Sequence, residues 1–368
     1  MGNRLSRTNP DYFFIALTGI LVIFGLVMLS SASSDLAKNK FGDSYYYLKH
    51  QILYGFSFGL AGFIFSIFVH YRWLQKLAPY FLVFNILLLL LVFIPSLGIK
   101  VLGGERWLNI GFFSFQPSEL LKLSFFIYLA AWVSKTETRS KSFLEGFLPF
   151  FVLIAVVMVI LLMEPATTTA ILIFGASLIM YFSAGARIKF LALSLLLVVL
   201  SISTLIYYTP YRLERVLSFL HPETDQLGSS YHINQAFIAI GSGGLTGVGF
   251  GKSTTKLKYL PEPIGDSIFA VIAEELGFIG AISLVIVFFL YVFRGLMIAR
   301  ASPDNFSKNL VTGFACIVGL QAFINIAAIS GIIPLSGVPL PFISYGGTAL
   351  AVFMTMSGII LNISRYRR

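Results

Sequence analysis

The chain has 368 residues, 57% of them hydrophobic and 11% charged, with a formal net charge of +10. Soluble domains carry about 25% charged residues, so this composition, with a mean hydropathy of +0.87, excludes a soluble globular protein and a disordered chain. The apolar residues run unbroken rather than alternating in short segments, which excludes an outer-membrane barrel, and the single Cys316 excludes a disulfide framework or a cysteine-based metal site.

A helix needs about 20 apolar residues to cross the hydrocarbon. Ten stretches meet that need: 12–31, 52–70, 77–95, 118–134, 147–163, 168–184, 188–207, 267–293, 309–332 and 344–363. They predict an all-α polytopic membrane protein, with about ten transmembrane helices forming one domain over 1–368. The second stretch holds Gly55 and Gly59, a small-xxx-small pair suited to close helix packing. The fourth holds Glu119 and Lys122, three apart and on one helix face. These two either neutralise one another or present charge to a cavity.

Three connections on one side of the membrane are substantial: 32–51, 96–117 and a long one at about 208–266. The long one contains an apolar piece at 233–240, too short to span, followed by Gly241, Gly243, Gly244, Gly247, Gly249 and Gly251. That pattern suits either a re-entrant segment with closely packed backbone or a loop resting on the membrane. The eighth stretch starts at Asp266 and carries Glu274 and Glu275 some 8–9 residues in. Ionisable groups inside a span are costly and suggest function. For the two glutamates a buried cation or helix-end backbone is a sufficient partner. Asp266 is placed either to cap its helix or to act where a membrane-embedded substrate meets an outer cavity.

Orientation follows from the basic residues. With Arg4 and Arg7 in the cytoplasm, that side holds fifteen basic residues against four acids, and the other side ten against nine. The positive excess is cytoplasmic, as the positive-inside rule requires, and both termini lie there. The net charge is therefore an orientation signal and not a nucleic-acid footprint. Short cytoplasmic loops and the absence of a G-x-x-x-x-G-K-[ST] motif exclude an ATP-driven pump in this chain. Any chemistry belongs outside, where Arg106, Arg212, Arg215, Lys252, Lys256 and Lys258 suit either a lipid-linked phosphate or ordinary headgroups. His50, His70, His221 and His232 are scattered and form no metal pattern.

Several long motifs occur in one order. They are Gly104-Glu105-Arg106-Trp107-Leu108, Phe115-Gln116-Pro117-Ser118-Glu119-Leu120-Leu121-Lys122-Leu123 and Ala239-Ile240-Gly241-Ser242-Gly243-Gly244-Leu245. Leu260-Pro261-Glu262 through Asp266, then Ser267 to Phe278 with Glu274-Glu275-Leu276-Gly277, and Pro339-Leu340-Pro341-Phe342-Ile343-Ser344-Tyr345-Gly346-Gly347 complete the set. Over essentially its whole length the chain closely resembles the SEDS family of shape, elongation, division and sporulation proteins (FtsW, RodA and SpoVE).

The resemblance implies a peptidoglycan glycosyltransferase of the bacterial cytoplasmic (inner) membrane. Such an enzyme polymerises lipid II, the undecaprenyl-pyrophosphate-linked disaccharide-pentapeptide, into glycan strands during division or elongation. The family's catalytic aspartate falls on Asp266, its polar pair on Glu119 and Lys122, its arginine before tryptophan on Arg106, and its glutamine on Gln116. Asp266 would take the proton of the acceptor GlcNAc 4-hydroxyl as it attacks C1 of the donor MurNAc. An inverting transfer needs no carboxylate nucleophile. The leaving pyrophosphate calls for cations, for which Lys122, Arg106, Arg212 and Arg215 are the candidates; a divalent ion, Mg or Mn, is a further candidate with no ligand assigned. The implied partners are a class B penicillin-binding protein (a transpeptidase) and other divisome or elongasome membrane proteins.

Two departures stand out. Many relatives read Glu-Pro-Asp where this chain has Glu164-Pro165-Ala166, and many read His-Thr-Asp-Phe where it has Ile264-Gly265-Asp266-Ser267. The aspartate persists in the second motif, and its surroundings look more like the division branch than the elongation branch. The competing readings are a lipid II flippase, which needs polar groups on both sides of the membrane, and a non-catalytic scaffold of the division or elongation complex.

Overall fold

A computed structural model of the chain describes residues 9–94, 97–101, 104–109, 114–135, 139–221 and 230–366. Arg4, Arg7, Glu137, Arg367 and Arg368 of the charge map, and 222–229 of the long connection, lie outside the described residues.

Each of the ten apolar stretches forms a helix. In chain order these are α1 (Tyr12–Phe41), α2 (Tyr46–Phe68), α3 (Tyr71–Leu91), α4 (Pro117–Val133), α5 (Phe143–Met163), α6 (Thr167–Ser183) and α7 (Ile188–Tyr208). Two helices, α8 (Pro210–Leu220) and α9 (Tyr231–Ser242), and a single turn, α10 (Thr255–Lys258), then build the long connection. The last three are α11 (Ile268–Arg300), α12 (Asn305–Ile329) and α13 (Gly347–Ser364). Among the described residues eight helices are long and apolar enough to cross a membrane; α4 and α6, of 17 residues each, are shorter. The protein is a polytopic, helical, integral membrane protein.

The helices pack around α12 and α13, in each of which 72% of the span is buried, against 11% in α7. The outer helices keep lipid-facing residues, as α2 does with Phe58 and Phe65 and α7 with Leu195 and Val199. A small antiparallel sheet stands at the end of the bundle between α3 and α4. Its strands β1 (Gly98–Val101) and β2 (Gly104–Asn109) pair with Gly98 opposite Leu108, and β3 (Ser114–Phe115) adds Phe115 opposite Leu108.

Polar caps pin the opposite end. Asp11 caps α1 by accepting from Phe14 N at 3.0 Å, and its carboxylate meets Arg294 of α11 at 2.8 Å. Asp304 forms a capping box with Ser307 at the start of α12 and accepts from Tyr71 OH of α3 at 2.7 Å.

Close approach of backbones fixes the α2–α13 contact. A Cβ at Gly59 would lie 2.6 Å from Met354 Sδ and one at Gly62 2.2 Å from Thr355 Oγ1. Gly55 meets Gly347 just as closely, so the small-xxx-small pair is an interface. Overpacking typically costs about 1–3 kcal/mol. Gly59→Leu should lower the thermal unfolding midpoint of the purified protein, whereas Ile64→Leu on the lipid-facing side of the same helix should leave it unchanged.

Candidate active site

The long α11 is broken. Gly277 adopts φ 66° and ψ −168°, dividing it into a short segment from Ile268 to Leu276 and a longer one from Phe278 to Arg300. A helix break in hydrocarbon frees backbone groups that water cannot satisfy. Here the glycine-rich loop after α9 satisfies them. Phe278 N and Ile279 N donate to the carbonyls of Gly244 and Leu245 at 2.9 and 3.1 Å. Val248 N and Gly249 N donate in return to Glu274 and Glu275 carbonyls at 3.0 Å each. A Cβ at Gly247 would sit 2.1 Å from the Glu275 carbonyl oxygen. Only glycine permits this approach, so the cluster is closely packed backbone and not a loose surface loop.

The two glutamates hold the same loop. Glu275 pairs with Lys256 at 2.6 Å and accepts from Ser31 of α1 at 2.7 Å; both charged groups are buried. Glu274 accepts from Ser253 Oγ and Thr254 N at 2.5 and 2.9 Å and from Thr255 Oγ1, capping α10. One glutamate has a cation and the other a helix end, the two partners expected for buried carboxylates. Lys256 is thereby committed to the protein.

Asp266 precedes the short segment of α11. Its main chain is held by Asn325 of α12, whose Nδ2 donates to the Asp266 carbonyl and to that of Val338 at 2.8 Å each. The turn before it is fixed by Ser344 Oγ on the Gly265 carbonyl (2.7 Å) and Tyr345 N on that of Ile264 (2.8 Å). Its carboxyl interacts with the main-chain N–H groups of Asp266 and Ser267 at the head of the helix, while Oδ1 is enclosed without a hydrogen-bond partner. Burial pushes the carboxyl up to about 6, against the opposing pull of Arg215.

Arg215 comes from α8, whose charged residues interleave with exposed Leu213, Leu217 and Leu220 as an interfacial helix requires. Its guanidinium and the Asp266 carboxylate converge on Gly337. A Cβ there would lie 3.8 and 3.9 Å from the two Arg215 terminal nitrogens and 4.0 Å from Asp266 Oδ2. Arg215 also donates to the Leu335 carbonyl, and Thr168 of α6 to that of Ser336. The 331–345 segment is thus a floor gripped from α6, α8 and α12.

Two further titratable groups lie beside Asp266. His232 of α9 shares a 2.6 Å hydrogen bond with Ser267 Oγ, and burial holds its imidazole below the usual value. Glu262 is raised by burial and by the Asp266 charge. Neither was a site candidate from the sequence, where the histidines look scattered.

The remaining candidates are placed as follows. Lys122 is buried and donates to Glu119 and to Gln321 Oε1, at 2.7 Å each, with its ammonium 5.2 Å from the Phe353 ring. Gln321 in turn donates to the Pro339 carbonyl at 2.8 Å, so the pair acts on the floor through Gln321. Gln116 begins α4, and its N donates to Thr348 Oγ1. Arg106 of β2 donates to the carbonyls of Glu164 and Pro165, at 3.0 and 2.8 Å, stapling the sheet to the α5–α6 junction. The Glu164 carboxyl there is fully buried with neither oxygen hydrogen-bonded, and burial pushes it up to about 8. Arg212 lies in α8, but its side chain, like that of Lys258, falls outside the described residues. Gln321 and Asn325 escaped sequence analysis, although two amides four apart in an apolar helix were a readable signal.

Among the described residues no group of three or more His, Cys, Asp or Glu comes together, and the charge facing Asp266 is the Arg215 guanidinium.

Comparison with known proteins gives one answer. Residues 11–368 match the family of cell cycle proteins FtsW, RodA and SpoVE. The chain is 37% identical to stage V sporulation protein E of Bacillus subtilis, over 98% of this chain and 99% of that one. It is 36% identical to a probable peptidoglycan glycosyltransferase FtsW of Geobacter sp. strain M18, over 97% of each. Its fold matches a solved chain from a peptidoglycan synthase complex that coordinates polymerization and crosslinking, with TM-score 0.82, 28% identity, and coverage of 97% of this chain and 98% of that one.

Breaking a buried ion pair from one side typically costs about 3–5 kcal/mol. Glu275→Ala, which strands Lys256, should therefore destabilise the protein far more than the double change Glu275→Leu with Lys256→Met, as read by thermal unfolding.

Proposed function

The chain belongs to the FtsW/RodA/SpoVE family, and on that premise we propose that it is a peptidoglycan glycosyltransferase that polymerises lipid II, with Asp266 as general base. The observation that carries the role of Asp266 is its carboxyl, raised to about 6 at the head of the broken helix and facing Arg215 across the floor. A base of that value is ionised at neutral pH yet basic enough to take a proton in the transition state.

In the proposed step Asp266 removes the proton of the acceptor GlcNAc 4-hydroxyl as that oxygen attacks C1 of the donor MurNAc. The new O4–C1 bond forms as the bond from C1 to the pyrophosphate oxygen breaks, with inversion. The electron pair leaves on undecaprenyl pyrophosphate. Arg215 is the cation beside the base and stabilises the departing charge; Arg212, three residues earlier in α8, is a second candidate cation by sequence. Arg106 fixes the α5–α6 junction and Gln116 the approach of α4 to α13, while Glu119 and Lys122 position the floor through Gln321. His232 holds Ser267, next to the base, and Glu262 lies within electrostatic reach of both His232 and Asp266.

We place the protein in a bacterial cytoplasmic membrane with both termini inside, which puts Asp266 on the outer face where lipid II is presented. Its working partner is a membrane-anchored transpeptidase, a class B penicillin-binding protein, in line with the synthase complex whose chain it matches.

Purified protein, with a cognate transpeptidase, should form glycan strands from lipid II. Asp266→Asn should lower the rate by about 10²–10⁴ without moving the thermal unfolding midpoint. Full activity in that variant would overturn the assignment, and translocation of labelled lipid II by the same variant in vesicles would favour a flippase.

The pH profile supplies a second test. Protonation removes the base, so the rate should fall as pH drops through about 6. Arg215 stabilises the carboxylate, so in whatever activity Arg215→Ala retains, the acidic limb should move to higher pH.

A further inference from the structure

We propose that an aromatic ledge between α1 and α2 is a saccharide-binding subsite that holds the glycan strand adjoining Asp266. The proposal deepens the polymerase reading and rests on it. The ledge is formed by Phe41, Tyr45 and Tyr46, which are 43%, 56% and 37% exposed. Phe41 and Tyr46 stack with centroids 3.8 Å apart. Tyr45 makes no ring contact among the described residues. One face of the ledge is thus braced while rings remain open to solvent.

The bracing runs directly to the candidate active site. Tyr46 packs edge-on against the buried Tyr47, and Tyr47 edge-on against Tyr345 at 5.1 Å. Tyr345 hydrogen-bonds His50 Nδ1 through its hydroxyl at 2.9 Å and the Ile264 carbonyl, two residues before Asp266, through its main-chain N. Glu262 acts electrostatically on both Tyr47 and Asp266. The ledge is thus braced from the same turn that carries Asp266.

The chemistry suits a glycan. A β-linked pyranose with equatorial substituents presents axial C–H bonds on its faces, a flat apolar surface with slight positive charge. Aromatic faces carry the complementary negative quadrupole, and tyrosine hydroxyls serve the sugar's edges. Exposed Lys40 borders the ledge, 5.6 Å from the Phe41 ring, and would attract the carboxylates of the strand's peptide stems, whereas Lys49 is already paired with Asp43 at 2.7 Å. An interfacial aromatic belt would spread rings around the perimeter. Here Phe41 and Tyr46 stack on one another, with Tyr45 next to Tyr46 in the chain, and the stack couples to the turn that carries Asp266.

The test uses the full-length protein in lipid nanodiscs and a soluble GlcNAc–MurNAc tetrasaccharide, with binding measured by calorimetry. Removing a central aromatic contact typically costs more than about 1 kcal/mol, so Tyr45→Ala combined with Phe41→Ala should weaken binding about tenfold. Tyr45→Trp should retain it. The double variant should also make shorter strands from lipid II while consuming lipid II at a similar initial rate. Unchanged binding and strand length would overturn the proposal, as would a lowered unfolding midpoint with binding intact, which marks a belt. Asp266→Asn separates this reading from the last. It should bind the tetrasaccharide normally without polymerising; polymerisation by it defeats only the base assignment, and absence of binding in every form defeats only the ledge.

Discussion

Inside a bilayer a backbone amide has no water to turn to, and that constraint organises this protein around Gly277. The break there frees carbonyls and amides of α11, and four main-chain hydrogen bonds from the 244–249 loop recover them. Such an exchange works only if the two backbones nearly touch, which is why side chains are missing at Gly243, Gly247 and Gly277. Glu274 and Glu275 then tie the far side of the loop, at 253–256, to the same break and to α1. What resembles an excess of polar residues in a span is the minimum needed to interrupt it.

The interruption has a chemical consequence. A continuous helix would offer one apolar cylinder to the lipid. The broken one gives a short segment whose first residues face the outer end of the bundle, with Asp266 just ahead of it. The carboxyl is enclosed by α8, α9, α12 and the 331–345 floor and is left one oxygen short of a partner. An unpartnered buried carboxylate is costly, and the surrounding amides, Asn325 and Gln321, hold main chain rather than the carboxyl itself. Burial thereby raises the affinity of this carboxyl for protons, a shift that clusters at functional sites.

Much of this was legible beforehand. The ten helices follow from run length, and a close helix contact of α2 from Gly55 and Gly59, although that its partner is α13 appears only in the structure. The alternatives offered for Glu274 and Glu275, helix end and cation, are the two that occur. Lys122 read equally as structural partner or substrate cation, and its coordination by Glu119 and Gln321 could not be chosen without knowing that α4 faces α12. His232 was unreadable for the same reason. Its 2.6 Å contact with Ser267 joins residues 35 positions apart, and no spacing rule reaches that far.

By itself the amino-acid sequence determined that the chain lives in a membrane, where its spans lie and which motifs recur in its family. Those properties depend on run length, local charge and residue order, all of which survive in an unfolded chain. Only the tertiary structure decided that α11 breaks, that Asp266 and Arg215 converge on Gly337, and that Lys122 is committed to the floor. Those properties depend on which backbone groups lose water and which distant partner replaces it, and packing alone settles that exchange.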